Sequence, residues 1–261
     1  MYFLFVPGLP RSYSTSLYTI IKENNSYGTL SEKECPYLFQ IFAEFKQKSL
    51  RSHICLKEFP NKSKEKNLEN YFLGLESIKK SHHIGVSDFC TRNLRIKKEN
   101  LEIIKNYLPY KFRTVLLFRD PVKHLYSMYC QEQLWNSLEY NSMLNYKKIS
   151  LNIDIEINFY AIEKIKKKYN YVDKYDEFKN VFGDNMLHFV SEELFTSKSQ
   201  QNLLEDFLSI PKNSLDFSVH ANKSNSKLSV EKYNSIFTEV KPVYDQWESK
   251  FGSLPSCWGK L

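Results

Sequence analysis

The chain has 261 residues and little of what marks a secreted, membrane or metal-binding protein. Its cysteines, Cys35, Cys55, Cys90, Cys130 and Cys257, are odd in number and irregularly spaced, and no CxxC pair occurs. That pattern argues against a disulfide framework or a zinc site and for free thiols in a reducing compartment. No run is long and apolar enough to span a bilayer. Met1 leads directly into an apolar segment without the basic and hydrophobic regions of a signal peptide, so the expected location is the cytoplasm, with no membrane partner. The G-x-x-x-x-G-K-[ST] loop of nucleotide kinases is absent. No Lys/Arg run is long enough for a nucleic-acid arm; the densest is KIKKKY, Lys164 to Tyr169. Neither an internal repeat nor a dividing linker is present, and residues 1–261 are expected to form a single domain.

What is present is an ordinary globular composition with a basic balance. Hydrophobic residues make up 42% and charged residues 26%, enough for a substantial core. Lys and Arg number 37 against 30 Asp and Glu, a formal charge of +7. That favours an anionic partner, such as a nucleotide or an acidic glycan, over a neutral one; the alternative is a solvated lysine-rich surface. Aromatics reach 15%, compatible with aromatic-lined grooves.

Apolar runs at Tyr2–Val6, His82–Phe89, Val115–Phe118 and Met186–Val190 predict strands, with a further short one at Arg51–Phe59. Helical spacing recurs at Leu17–Ile21, Leu68–Ile78, Glu99–Leu108 and Gln200–Leu208. It recurs also at Phe159–Phe178, broken near Asn170, and at Tyr233–Phe251, interrupted near Pro242. Asn24–Gly28 reads as a break, Asn61–Asn67 as a polar surface loop and Asn136–Ile155 as loops. Strands alternating with helices predict an α/β fold with a mainly parallel sheet.

The first turn, GLPRSYSTSLY from Gly8 to Tyr18, is a strand–loop–helix corner. Such a corner aims backbone N–H groups and the positive helix end at one spot, which suits an anion. Arg11 adds fixed charge, and Ser12, Ser14, Thr15 and Ser16 add hydroxyl donors. An ordinary N-cap is the bland alternative. A second such corner follows Val115–Phe118. Arg119 and Asp120 stand at the strand's end, Pro121 suits a first helical turn with Asp120 as N-cap, and Ser127 lies about two turns on. Here the alternative is an arginine paired with Asp120.

Together GLPRSYSTSLY and LLFRDPVKHLYSMY resemble the signature pair of sulfotransferases that use 3′-phosphoadenosine 5′-phosphosulfate. The resemblance implies a P-loop-like three-layer fold, a central parallel sheet flanked by helices. It also implies that Arg11, Ser12, Ser14, Thr15 and Ser16 hold the 5′-phosphosulfate, and Arg119 and Ser127 the 3′-phosphate. Tyr13 replaces the usual glycine, so the loop is wider or the ring packs on the ligand. EKECPYLF resembles the K-E-P-x-F-F segment of the carbohydrate (heparan-sulfate-type) and bacterial/phage-like branch. That implies Glu34 as catalytic base, with Cys35 as one extra residue. YFLGLESIKKSHHIGVSDF resembles the substrate-side segment and brings in Asp88, with Val86 where the branch has an acid or a lysine. FGDNMLHFVSEEL resembles a later strand with E-x-L. HANKSNSK resembles the cofactor-side loop, where Lys223 and Lys227 close over the nucleotide or only decorate the loop.

Sulfuryl transfer asks a protein for in-line positioning and for charge stabilisation at peripheral oxygens. The expected reaction moves a sulfuryl group to a hydroxyl or amine acceptor, by resemblance a carbohydrate, with Glu34 taking the proton and Arg11 stabilising the departing phosphate. Asp88, His53, His82, His83 and His124 are rival bases, although His124 is expected to face outward on its helix. No metal is required, and adenosine 3′,5′-bisphosphate is the product. The competing functions are a P-loop-like nucleotide kinase and a non-enzymatic module that binds anionic glycans or nucleic acid.

Overall fold

The computed structural model describes residues 1–30, 33, 37–42, 63–137, 170–219 and 228–259. Glu34, Cys35, His53, Lys223, Lys227, the expected strand at Arg51–Phe59 and the stretch 138–169 lie outside the described residues.

Strand β1, Tyr2–Val6, is buried from Phe3 to Val6. A strand buried on both faces needs layers on both sides. β1 lies at the centre of a five-stranded sheet in which β2 (Tyr27–Thr29), β3 (Gly85–Phe89), β4 (Lys111–Phe118) and β5 (Met186–Val190) run in the order β2-β3-β1-β4-β5. All the pairings are parallel. Side chains alternate across the sheet as strand geometry demands. Phe3 and Phe5 join one core with Val86, Leu116 and Phe118, while Leu4 and Val6 join the other with Val115 and Leu117.

The first core is covered by α2 (Tyr37–Phe42), α3 (Lys64–Ser77), α4 (Lys98–Tyr107), α5 (Pro121–Ser137), α6 (Tyr171–Phe182) and α9 (Val230–Phe251). The second is covered by α1 (Ser14–Asn24), α7 (Ser191–Leu194) and α8 (Lys198–Leu208). The result is the expected three-layer α/β arrangement.

Four local expectations are revised. Strand β2 occupies the segment read as a break; it is three residues long, too short for periodicity to show. Gly28 is needed there, because an added Cβ would lie 2.7 Å from the Ile78 carbonyl oxygen. Helix α3 begins at Lys64, inside the stretch read as a loop, and Ser63 caps it by accepting from the Lys66 amide. Helix α9 runs through Pro242 without interruption. Its buried stripe of Tyr233, Ile236, Val240, Tyr244 and Trp247 passes the proline, whose own position and that of Thr238, four residues back, are exposed. The carbonyl that proline leaves without a helical donor thus belongs to the exposed side, and burial of the stripe offsets a cost of about 3 kcal/mol. The expected break near Asn170 is a helix start: Asn170 accepts from the Asp173 amide and caps α6.

Candidate functional site

Adjacent strands β1 and β4 feed helices on opposite faces. Helix α1 packs Leu17, Ile20 and Ile21 into one core, and α5 packs Val122, Leu125 and Tyr126 into the other. Connections that part in this way open a crevice at the carboxyl ends of the strands. The two corners singled out in the sequence are the walls of that crevice.

The loop after β1 is closed on itself. Ser12 Oγ donates to the Leu9 carbonyl at 2.5 Å, and Ser191 Oγ, from the start of α7, donates to the Ser12 carbonyl at 2.9 Å. Arg11 and Tyr13 both adopt left-handed backbone, with φ of 64° and 61°. For residues with a Cβ this costs about 1–2 kcal/mol each, a strain that the surrounding contacts must hold. Tyr13 stands at the N-cap of α1 without capping it through its side chain. The helix-start N–H groups are left to face the loop, with the positive end of the helix dipole behind them.

The second corner meets the first directly. Arg119 Nη1 donates to the Arg11 carbonyl at 2.9 Å, and Arg11 Nε donates to Ser127 Oγ at 2.9 Å. The Arg119 guanidinium also lies 5.3 Å from the centre of the Tyr13 ring, which in turn packs on Phe195 at 5.1 Å. Tyr13 therefore supports Arg119 with its ring.

The carboxylate beside Arg119 is Glu192, not Asp120. Glu192 Oε1 lies 3.6 Å from Arg119 Nε and accepts from the Asp120 amide at 3.3 Å. Burial first, and the nearby Asp120 carboxylate in addition, push the Glu192 pKa up against the pull of Arg119. Its charge is thus disfavoured in the corner. Asp120 itself turns away. It caps α5 through the Lys123 amide at 3.0 Å, and it accepts from the Tyr244 hydroxyl at 3.0 Å and the Gly259 amide at 2.9 Å.

Behind the corners lies His124, expected to face outward but only 1% exposed. Its Nδ1 is 2.8 Å from the Tyr171 hydroxyl, which also lies 3.0 Å from the Arg119 carbonyl oxygen. Burial, then the Arg119 charge, drive the His124 pKa down to about 3, so the ring is neutral. A buried neutral imidazole facing away from solvent is not placed to serve as a base.

The arrangement of the sheet and its helices occurs in a known group of structures. The fold is that of solved sulfotransferases. A crystal structure of a sulfotransferase from Alicyclobacillus acidocaldarius superposes with a TM-score of 0.65 at 13% identity, covering 98% of each chain. The sulfotransferase domain from the curacin biosynthetic pathway gives 0.55 at 14% identity, also over 98% of each chain. A sulfotransferase from Mycobacterium avium gives 0.54 at 12% identity, over 96% of this chain and 77% of that one. No protein-family model and no curated protein matches the sequence.

Within this sulfotransferase fold the named residues fall into groups. Arg11, Tyr13, Arg119 and Ser127 meet at the crevice. Ser12, Ser14 and Ser16 are buried, and the Ser12 hydroxyl is spent inside the loop. Thr15, one residue inside α1, is half-buried. Asp88, the next-to-last residue of β3, lies on the other side of β1 from β4, and it is buried. Its Oδ2 accepts from the Tyr71 hydroxyl at 2.5 Å and from Asn93 Nδ2 at 3.3 Å. His82 and His83 contact Asn25 ahead of β3, at the opposite edge of the sheet. Sequence reasoning missed Glu192 and Tyr171 as members of the site. Glu192 had one signal: it lies two residues beyond the carboxyl end of β5, the strand beside β4.

Among the described residues no group of three or more His, Cys, Asp or Glu side chains is placed to hold a metal ion. Among them, too, no helix is long and apolar enough to cross a membrane.

Proposed function

We propose that the chain is a sulfotransferase that moves a sulfuryl group from 3′-phosphoadenosine 5′-phosphosulfate to a hydroxyl or amine acceptor, of the carbohydrate type. The observation that carries this reading is the meeting of the two corners, with Arg119 on the Arg11 carbonyl and Arg11 on the Ser127 hydroxyl. One donor with phosphate groups at both ends of its nucleoside fits two cationic corners joined in this way.

In this reading the helix-start N–H groups, Arg11 and the α1 hydroxyls hold the 5′-phosphosulfate, and Arg119 with Ser127 holds the 3′-phosphate. The acceptor oxygen attacks sulfur in line. Its bond to sulfur forms as the bond from sulfur to the 5′-phosphate oxygen breaks, and adenosine 3′,5′-bisphosphate departs. The acceptor proton goes to the Glu34 carboxylate. Arg11 stabilises the charge that develops on the departing phosphate. Asp88, across β1 from Arg119, lies on the acceptor side, and Lys223 and Lys227 close over the nucleotide. Glu192 is compatible with an anion beside Arg119 because its own charge is disfavoured there.

The test is release of adenosine 3′,5′-bisphosphate from the sulfated donor in metal-free buffer, with saccharide, aryl alcohol and amine acceptors. Acceptor-dependent release is expected. Glu34→Gln should lower turnover by roughly 10²–10⁴ while leaving nucleotide binding nearly intact. A protein that neither binds the nucleotide nor releases it with any acceptor contradicts the reading; full activity in Glu34→Gln places the base elsewhere.

A further inference from the structure

Two corners that bind one ligand, the first of them strained, need something to keep their separation fixed. The loop after β1 holds two left-handed residues, and its contacts to Arg119 and Ser127 lie at the edge of the crevice. From behind, one buried pair backs the second corner at the residue that holds the first. His124 stands on α5, Tyr171 opens α6, and the two meet at 2.8 Å. The Tyr171 hydroxyl donates to the Arg119 carbonyl at 3.0 Å, and the Arg119 guanidinium in turn holds the Arg11 carbonyl of the first loop at 2.9 Å.

We propose that His124 and Tyr171 form a buried brace that fixes the spacing of the two donor-binding corners, and that they are positioning residues for the donor. The ligand part of this proposal rests on the sulfotransferase reading above; the brace itself does not.

The setting makes the pair stiff. Tyr171 is 2% exposed, and its ring packs against Phe118 at 5.2 Å, Trp258 at 6.1 Å and Trp247 at 6.4 Å. Neither residue can swing away without opening that aromatic wall, because close-packed interiors leave no room for a second rotamer. Polar links inside such a wall specify one arrangement of the chains they join, since breaking them strands buried polar groups. The backbone carbonyl of Arg119 is thereby fixed, and the direction in which its guanidinium leaves the corner is fixed with it. A neutral ring suits this task. It adds no further charge behind two guanidiniums, and with a pKa of about 3 it holds the same state at any pH at which the protein works.

The experiment uses full-length protein with Tyr171→Phe, His124→Phe, the double variant and His124→Gln. Tyr171→Phe keeps the ring and removes only the hydroxyl, so it remains informative if a histidine variant fails to fold. Two readouts are taken. The first is amide hydrogen exchange without ligand: residues 7–13 should exchange about tenfold faster in Tyr171→Phe and His124→Phe, with β3 and β5 unchanged. The second is calorimetric titration with adenosine 3′,5′-bisphosphate. Its Kd should rise about tenfold in each single variant, the double variant should be scarcely worse than either, and His124→Gln should recover part of the loss. Exchange at residues 7–13 that matches the wild type overturns the brace whatever the ligand. Faster exchange with an unchanged Kd overturns the positioning role. A wild type that binds no nucleotide overturns the sulfotransferase reading and with it the donor-positioning role, while the exchange readout still decides the brace.

Discussion

Arg11 and Ser127, separated by 116 residues in the chain, meet through a 2.9 Å hydrogen bond from Nε to Oγ. Each belongs to a different strand–loop–helix unit, and the parallel pairing of β1 with β4 makes the units neighbours. The contact therefore reports how the two corners are joined, and it gives the first expected outcome. In Ser127→Ala the guanidinium loses a partner and the nucleotide loses a donor. Binding of adenosine 3′,5′-bisphosphate should weaken by about 1.5–3 kcal/mol, roughly ten- to a hundredfold, with little change in the melting temperature. Calorimetry on the variant checks this; wild-type affinity would show that Ser127 is not in the site.

Tyr13 holds a backbone conformation suited to glycine and uses its ring elsewhere. Replacing it with alanine removes the ring and keeps the strain, whereas glycine removes both. Tyr13→Gly should therefore be more stable than Tyr13→Ala by about 1 kcal/mol in denaturant unfolding. Both should bind nucleotide more weakly than the wild type, because Arg119 loses its aromatic support. Equal stability of the two variants would show that the left-handed conformation is not retained.

Asp120 serves the fold around the site. It caps α5, accepts from Tyr244 on α9 and holds the Gly259 amide, all while fully buried. Asp120→Ala removes a cap and leaves the buried Tyr244 hydroxyl unmatched, and it should cost about 3 kcal/mol of stability. Unfolding in urea measures it directly; a loss under about 1 kcal/mol would mean that the C-terminal turn is not docked there.

One buried and one half-buried histidine set an acid limit. Burial lowers the pKa of His188 to about 4, in a box of Phe118, Tyr175, Trp247 and Phe251, and that of His124 to about 3, from the usual 6.5. A histidine kept neutral in the fold gives stability that is complete above its unfolded pKa and declines as pH falls toward its folded pKa. Stability should thus decrease from about pH 6.5 downward, and His188→Leu should flatten part of that decline. Glu192 carries the opposite sign. Its raised pKa means that its ionisation costs stability as pH rises, so Glu192→Gln should gain on the wild type between about pH 4.5 and neutrality. Melting curves at several pH values check both; parallel profiles for variants and wild type contradict the assigned burial.

Much of the frame was legible in the sequence because it is written in strong local patterns. The run YFLFV could only be a strand covered on both faces, and the Arg11 and Arg119 corners each combine a strand end, a cation and a helix start. What escaped lacks such a pattern. Strand β2 is three residues long and exists through its pairing with β3. His124 looked outward because it is polar, yet Val122, Leu125, Tyr126, Ser127 and Tyr129 are buried around it, so this part of α5 has scarcely any solvent face. Pro242 reads as a break in sequence, but it stands on the exposed side of a helix held by its buried stripe. Tyr171 reaches the site only through tertiary packing, which no spacing along the chain encodes.

The decisive measurement is a pair of calorimetric titrations in metal-free buffer, with adenosine 3′,5′-bisphosphate and with adenosine 5′-phosphate, on the wild type and on Arg119→Ala. Two joined corners require the wild type to prefer the doubly phosphorylated nucleotide by about tenfold or more, and Arg119→Ala to lose that preference while keeping its fold. Equal binding of both nucleotides by the wild type, or an undiminished preference in Arg119→Ala, would show that the two arginine corners do not share one donor.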